Sequence, residues 1–171
     1  MLAINILGIE IPDSRPAFLA TLAVHVTAGI VSVVSGAVAA FSRKRPGRHP
    51  KAGVVYAVGL ATIFVSATIM AIMRWQHSWY LFVIACVAFT LGAVGVLARE
   101  RRRHRWMTWH GACMGMSYVA LLTGFYVDNG PQLPVWDRLP RLALWLIPSV
   151  VSSARPYPSG LRMRRRPART E

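Results

Sequence analysis

The chain is 171 residues long, 54% hydrophobic and only 15% charged, with a mean hydropathy of +0.42. The length suits a single domain, and the apolar excess excludes an ordinary soluble one. The formal net charge of +14 raises nucleic-acid binding, but the positions of the cations argue against it: none of the 20 lysines and arginines lies inside the four strongest apolar runs.

Residues 1–16 form an extracytoplasmic N-terminal segment. Glu10 and Asp13 interrupt its apolar run and no positive region opens it, so it does not read as a cleaved signal peptide. Four runs free of Asp, Glu, Lys and Arg follow: Ala17–Phe41, Ala52–Met73, Trp79–Ala98 and Trp106–Val127. A helix rises about 1.5 Å per residue, so each run is long enough to cross a hydrocarbon core roughly 30 Å thick. In the first run Ala28, Ser32 and Gly36 recur every fourth position, a stripe of small residues that admits a neighbouring helix closely. The second carries Tyr56, Thr62, Ser66 and Thr68, whose hydroxyls can bond back to their own helix or across to a partner. Gly92 and Gly95 give the third run a close-approach surface like that of the first. Trp75, Trp79, Tyr80, Trp106, Trp109 and Tyr126 fall near the ends of the runs, as an interfacial aromatic belt does.

Cys86 and Cys113 lie in different runs, roughly 9 Å apart in depth by helical rise. A disulfide needs Cα atoms within about 7 Å, so both are expected as buried thiols. A fifth run, Leu142–Ala154, covers only roughly 20 Å as a helix and contains Pro148. The distribution of charge favours a short, kinked crossing. Residues 155–171 then form a disordered basic tail. The expected fold is all-α: a polytopic transmembrane helical bundle over residues 17–154, with four strong spans plus a short fifth.

Charge sets the orientation. Arg43, Lys44, Arg45, Arg48 and Lys51 follow the first run, Arg99, Arg101, Arg102, Arg103 and Arg105 follow the third, and the tail holds six more arginines. The alternate side holds Arg15, Arg74, Arg138 and Arg141 together with Glu10, Asp13, Asp128 and Asp137. Basic short loops stay cytoplasmic, which places the N-terminus outside and the C-terminus inside. The basic loops would attract anionic headgroups by about 1 kcal/mol per cation near the surface.

Several segments taken together carry a resemblance. His25 precedes a small-residue run; RKRPGRHPKAGVVY places His49, Gly53 and Tyr56 in a His-x3-Gly-x2-Tyr spacing; RRRHRWM opens the fourth run; SYVALLTGFYVDNG and LPVWDRLP follow. Over Pro16 to Ser149 the chain resembles the bacterial predicted membrane proteins catalogued as domain of unknown function two-three-zero-six. The resemblance implies a helical bundle in the bacterial inner membrane and carries no activity with it. The chain departs from that pattern after Leu-Ile-Pro-Ser, where it turns to SSARPYPSGLRMRRRPARTE, a divergent end or a reading-frame change.

Imidazoles are the first candidates for chemistry, since haem, metals and protons all use them. His25, His49, His104 and His110 are candidate cofactor ligands, with haem or copper as the cofactor. Helical rise puts His25 and His110 about 12 Å apart in depth, a poor pair of axial ligands for one haem. On the fourth run Met107, His110 and Met114 share a face at i, i+3 and i+7, with Cys113 beside them, a soft donor set suited to copper or haem iron. His25 is expected to bond a hydroxyl across the bundle, such as Thr62 or Tyr56, and so set helix register. A proton relay to Asp13 or Asp128 is the alternative. No carboxylate lies inside the four runs, which counts against an oligomeric transporter or channel. No phosphate-binding loop, His-Glu-x-x-His or Gly-x-Ser-x-Gly appears, so no conventional enzyme is indicated. The sequence therefore points to a small bundle that binds lipid, a membrane-protein partner or its own copies. A haem- or metal-binding redox protein is the alternative.

Overall fold

The computed structural model describes residues 4–6, 9–11, 15–43, 46–102 and 104–129. The expected fifth span, Leu142–Ala154, and the basic tail lie outside the described residues. A two-stranded antiparallel hairpin comes first, β1 (Ile4–Ile6) and β2 (Ile9–Ile11), with Ile4 opposite Ile11 and Ile6 opposite Ile9. The sequence reading assigned no strand there, although Ile-Asn-Ile and Ile-Glu-Ile alternate with the period of two that strands require.

Four helices follow among the described residues. The first, α1 (Pro16–Phe41), starts on a proline, whose missing N–H would have had no intrahelical partner at that position. The second, α2 (Arg48–Met73), begins after Gly47 at φ 127°, a backbone region that strains any residue with a Cβ. It therefore starts before Ala52, where the charge-free run begins. Arg74 alone separates α2 from α3 (Trp75–Arg101); its N–H bonds the Met70 and Ala71 carbonyls at 3.1 and 3.2 Å and closes the first helix as the second starts. After α3, Arg102 at φ 41° and Arg105 at φ 59° take left-handed backbone and turn the chain into α4 (Trp106–Asn129).

Among the described residues three helices, Pro16–Phe41, Arg48–Met73 and Ser78–Arg101, are long and apolar enough to cross a membrane. The expectation of four strong spans is met for three of them. Although α4 contains no charge before Asp128, its first half holds Trp106, Thr108, Trp109, His110 and Gly111. Freedom from charge is not the same as hydrophobicity, and those residues dilute it.

Contacts set the topology. His25 meets Ser66, Ser32 meets Gly59 and Ala39 meets His49, so numbers fall along α2 as they rise along α1. The same reversal relates α2 to α3 through Leu60–Gly92 and the Phe64–Phe89 stack at 4.7 Å. It relates α3 to α4 through Ile84–Gly124, Gly92–Ser117 and Gly95–Met114. The Tyr118 hydroxyl donates to the Val33 carbonyl at 3.1 Å and ties α4 back to α1. The result is an up-down-up-down bundle. Its core centres on Tyr56, Leu60 and Ala88, with Met114, Tyr118, Ala120 and Leu121 packed around them.

The exterior identifies the solvent. Val24, Ile30, Val34, Val58, Val65 and Ile72 are all more than half exposed along α1 and α2. Water would penalise an apolar surface of that extent. Thr21, Thr27, Thr62, Thr68 and Thr123 each donate to the carbonyl four residues back, at 2.7–3.0 Å. Hydroxyls satisfied inside their own helix suit a medium that offers no hydrogen bonds. The chain is a membrane-associated helical protein.

Candidate functional site

The bundle gathers its polar groups at three levels. At the end where α1 and α3 finish and α2 and α4 begin lie Arg43, Arg48, Lys51, Arg99, Arg101, Arg102 and Arg105, all exposed. At the opposite end, Arg15 reaches the Met73 carbonyl at 3.5 Å. Arg74 lies nearby, its Nε buried with no hydrogen-bond partner among the described residues.

Between the ends is a knot of buried hydroxyls and glycines. Ser32 and Ser117 have no exposure and Tyr56 only 2%. The Tyr56 and Ser117 hydroxyls bond each other at 2.6 Å, linking α2 to α4, and the rings of Tyr56 and Tyr118 lie 6.1 Å apart. Both rings lean on Gly36. Sequence reasoning found the small-residue stripe but missed Ser117 and Tyr118. The signal was present, since a hydroxyl within a span needs a partner, but pairing it required knowing which helices adjoin.

His25 lies at the level of Ser66, with 2.9 Å between Nδ1 and Oγ. Its partner is a hydroxyl of α2, as expected, but that of Ser66 rather than Thr62 or Tyr56. Thr62 turns back to the Val58 carbonyl, and Tyr56 is taken by Ser117. Ser66 Oγ also lies 2.8 Å from the Thr62 carbonyl and 3.1 Å from the Ile63 carbonyl. Carbonyls only accept; with the serine proton on one of them, His25 Nδ1–H is the donor to the serine. Of the expected relay partners, Asp13 lies outside the described residues.

Carbonyls decide two more imidazoles. His49 Nδ1 lies 2.8 Å from the Ala39 carbonyl and caps the last turn of α1; His110 Nδ1 lies 2.8 Å from the Gly95 carbonyl and ties α4 to α3. Both must donate, leaving the lone pair of the neutral ring on Nε2. His104 is exposed in the connector between α3 and α4.

These rings do not come together. His25 is level with Ser66, whereas Gly95, the partner of His110, lies beyond the Leu60–Gly92 contact; the helical rise separates the two imidazoles by roughly 13 Å. On α4, Met107 is 70% exposed, Cys113 is 6% exposed, and Met114 packs against Gly95. The soft donors thus point to different surroundings: one outward, one into the helix interface, one onto α3. Cys86 and Cys113 are both free thiols. Among the described residues no three His, Cys, Asp or Glu side chains form a group that could hold a metal ion. An interhelical hydrogen bond in a membrane contributes on average about 0.6 kcal/mol. His110→Ala is therefore expected to lower the unfolding free energy by less than about 1 kcal/mol, measured by denaturant titration in mixed micelles; a loss several times larger would show that this bond carries the α3–α4 contact.

Comparison with known proteins adds no kinship: no family model, curated protein or solved structure matches the chain.

Proposed function

We propose that this chain is a multi-pass protein of the bacterial inner membrane, a small bundle that binds lipid or a membrane partner and performs no catalysis of its own. Its N-terminus lies outside and its basic end in the cytoplasm. In this reading α4 and the Leu142–Ala154 segment also cross, and kinship with domain of unknown function two-three-zero-six rests on the order and spacing of the segments quoted above. The observation that carries the reading is segregation: among the described residues, seven exposed cations lie at one end of a bundle whose flanks are apolar. Such a distribution matches a helical protein held across a bilayer with its basic loops inside.

Topology mapping tests it. With Cys86 and Cys113 replaced by alanine, single cysteines are introduced as Arg43→Cys or Gln76→Cys, both at exposed positions. A membrane-impermeant maleimide applied to intact spheroplasts should label the cysteine at 76 and leave that at 43 unlabelled until the membrane is opened. The reverse pattern would overturn the orientation.

The competing reading, a haem or copper protein, has one observation in its favour. His49 and His110 hold Nδ1–H on a carbonyl, the arrangement that presents Nε2 of a ligating histidine. Protein expressed with haem and copper supplied should be colourless and metal-free after purification. A Soret band, or stoichiometric copper lost in His110→Ala, would replace the lipid-binding reading with this one.

A further inference from the structure

We propose that the groove between the last turns of α3 and the first turn of α4 seats one anionic glycerophospholipid, its phosphate held by Arg101 and His104. The proposal rests on the reading that the basic end meets a membrane surface, and it gives that reading a specific ligand site.

The groove changes character along its length. Val94, Leu97, Ala98 and Arg101 line one wall; their spacing of i, i+3, i+4 and i+7 makes a single stripe on α3. The stripe is apolar for its first three members and cationic at the fourth, where the helix ends. Trp106 and Trp109, one turn apart on α4, form the facing wall, and His104 closes the end from the connector. Val94, Leu97 and Trp109 are 42%, 44% and 61% exposed, so the apolar walls are open to an occupant. The Arg102 guanidinium sits 5.9 Å from the centre of the Trp106 ring and adds positive charge beside the opening. Glu100, exposed at the same end, does not line the groove.

An occupant must therefore place apolar chains beside Val94 and Leu97, within the membrane-crossing window of α3, and an anion at the helix end. A free phosphate satisfies only the second condition. A membrane phospholipid with net negative charge satisfies both, and tryptophan suits the boundary because one side of the indole is apolar and its N–H is a donor. The groove is also held in shape: His110 bonds Gly95 at 2.8 Å, next to Val94 on the apolar wall.

Native mass spectrometry of the full chain in mild detergent, titrated with phosphatidylglycerol and with phosphatidylcholine, tests the site. The wild type should retain one phosphatidylglycerol in preference to phosphatidylcholine. Arg101→Gln combined with His104→Gln should reduce that preference roughly tenfold, as expected for losing one surface cation and the imidazole donor beside it. Both side chains are exposed, so the fold should persist, as checked by circular dichroism; Arg101→Lys should keep the preference. Arg43→Gln with Arg48→Gln, on the other connector, should leave it unchanged. Unchanged preference in the groove variant but loss in the Arg43/Arg48 variant would overturn this seat while leaving lipid binding at the basic end intact. Absence of any preference in the wild type would overturn both. Displacement of the lipid by millimolar inorganic phosphate would overturn the lipid in favour of a soluble anion.

Discussion

Gly36→Ala is expected to destabilise the bundle by about 2 kcal/mol, the usual scale for overfilling a packed interior. A Cβ at that position would lie 2.6 and 2.7 Å from two carbons of the Tyr118 ring and 3.0 Å from the Tyr56 ring. Neither ring can easily move aside. Tyr118 is held by its bond to the Val33 carbonyl, and Tyr56 by its bond to Ser117. The methyl group therefore pushes α1 away from α2 and α4 together, and Gly36→Leu should prevent a stable bundle from forming. Gly29→Ala is the control, because a Cβ there meets nothing within 4 Å. Alanine also favours helix over glycine by about 1 kcal/mol, so that variant should be neutral or slightly more stable. Unfolding midpoints of the two variants in the same detergent decide the matter; equal midpoints would show that the Gly36 contact is not close.

Tyr56→Ala is expected to cost about 3 kcal/mol, the lower end of the range for truncating a buried aromatic side chain. The lower end applies because lipid tails are as apolar as the bundle interior. Removing the ring forfeits packing contacts and leaves a cavity, without the full penalty of transfer from water. Tyr56→Phe separates the ring from its hydroxyl. It breaks the 2.6 Å bond to Ser117 and leaves that fully buried oxygen unpaired. Membrane hydrogen bonds average about 0.6 kcal/mol, so the phenylalanine variant should lose less than a third of what alanine loses. A double-mutant cycle with Ser117→Ala should return a coupling energy of about that size. If Tyr56→Phe proves as damaging as Tyr56→Ala, the hydroxyl pair, not the ring, holds α2 against α4.

The site was legible in parts, and the parts differ in kind. Ala28, Ser32 and Gly36 announced a contact face, because a repeat of four residues stays on one side of a helix wherever that helix packs. What the stripe faces depends on how α2 is rotated, and only the assembled bundle put Gly59 opposite Ser32 and the two tyrosine rings on Gly36. His25 shows the same limit. A hydroxyl partner in the second run followed from the chemistry of a neutral imidazole within a membrane. Ser66 rather than Thr62 was settled by one turn of relative sliding between α1 and α2. The donor set Met107, His110, Cys113 and Met114 was a projection of one helix in isolation; α3 then took Met114 and the His110 Nδ1 proton for packing.

Helicity, apolar flanks and the position of every cation along the chain were determined by the sequence itself. Each is a property of consecutive residues: hydropathy accumulates over a window, and a charge keeps its place relative to the nearest helix end. Partner choice was decided only by the tertiary structure. The reversal at Arg74, the tie from Tyr118 to α1, the Tyr56–Ser117 bond and the groove lined by Arg101, His104 and Trp109 all join residues from different elements. Their pairing depends on helix rotation and offset, which close packing against neighbours selects and which no single segment contains.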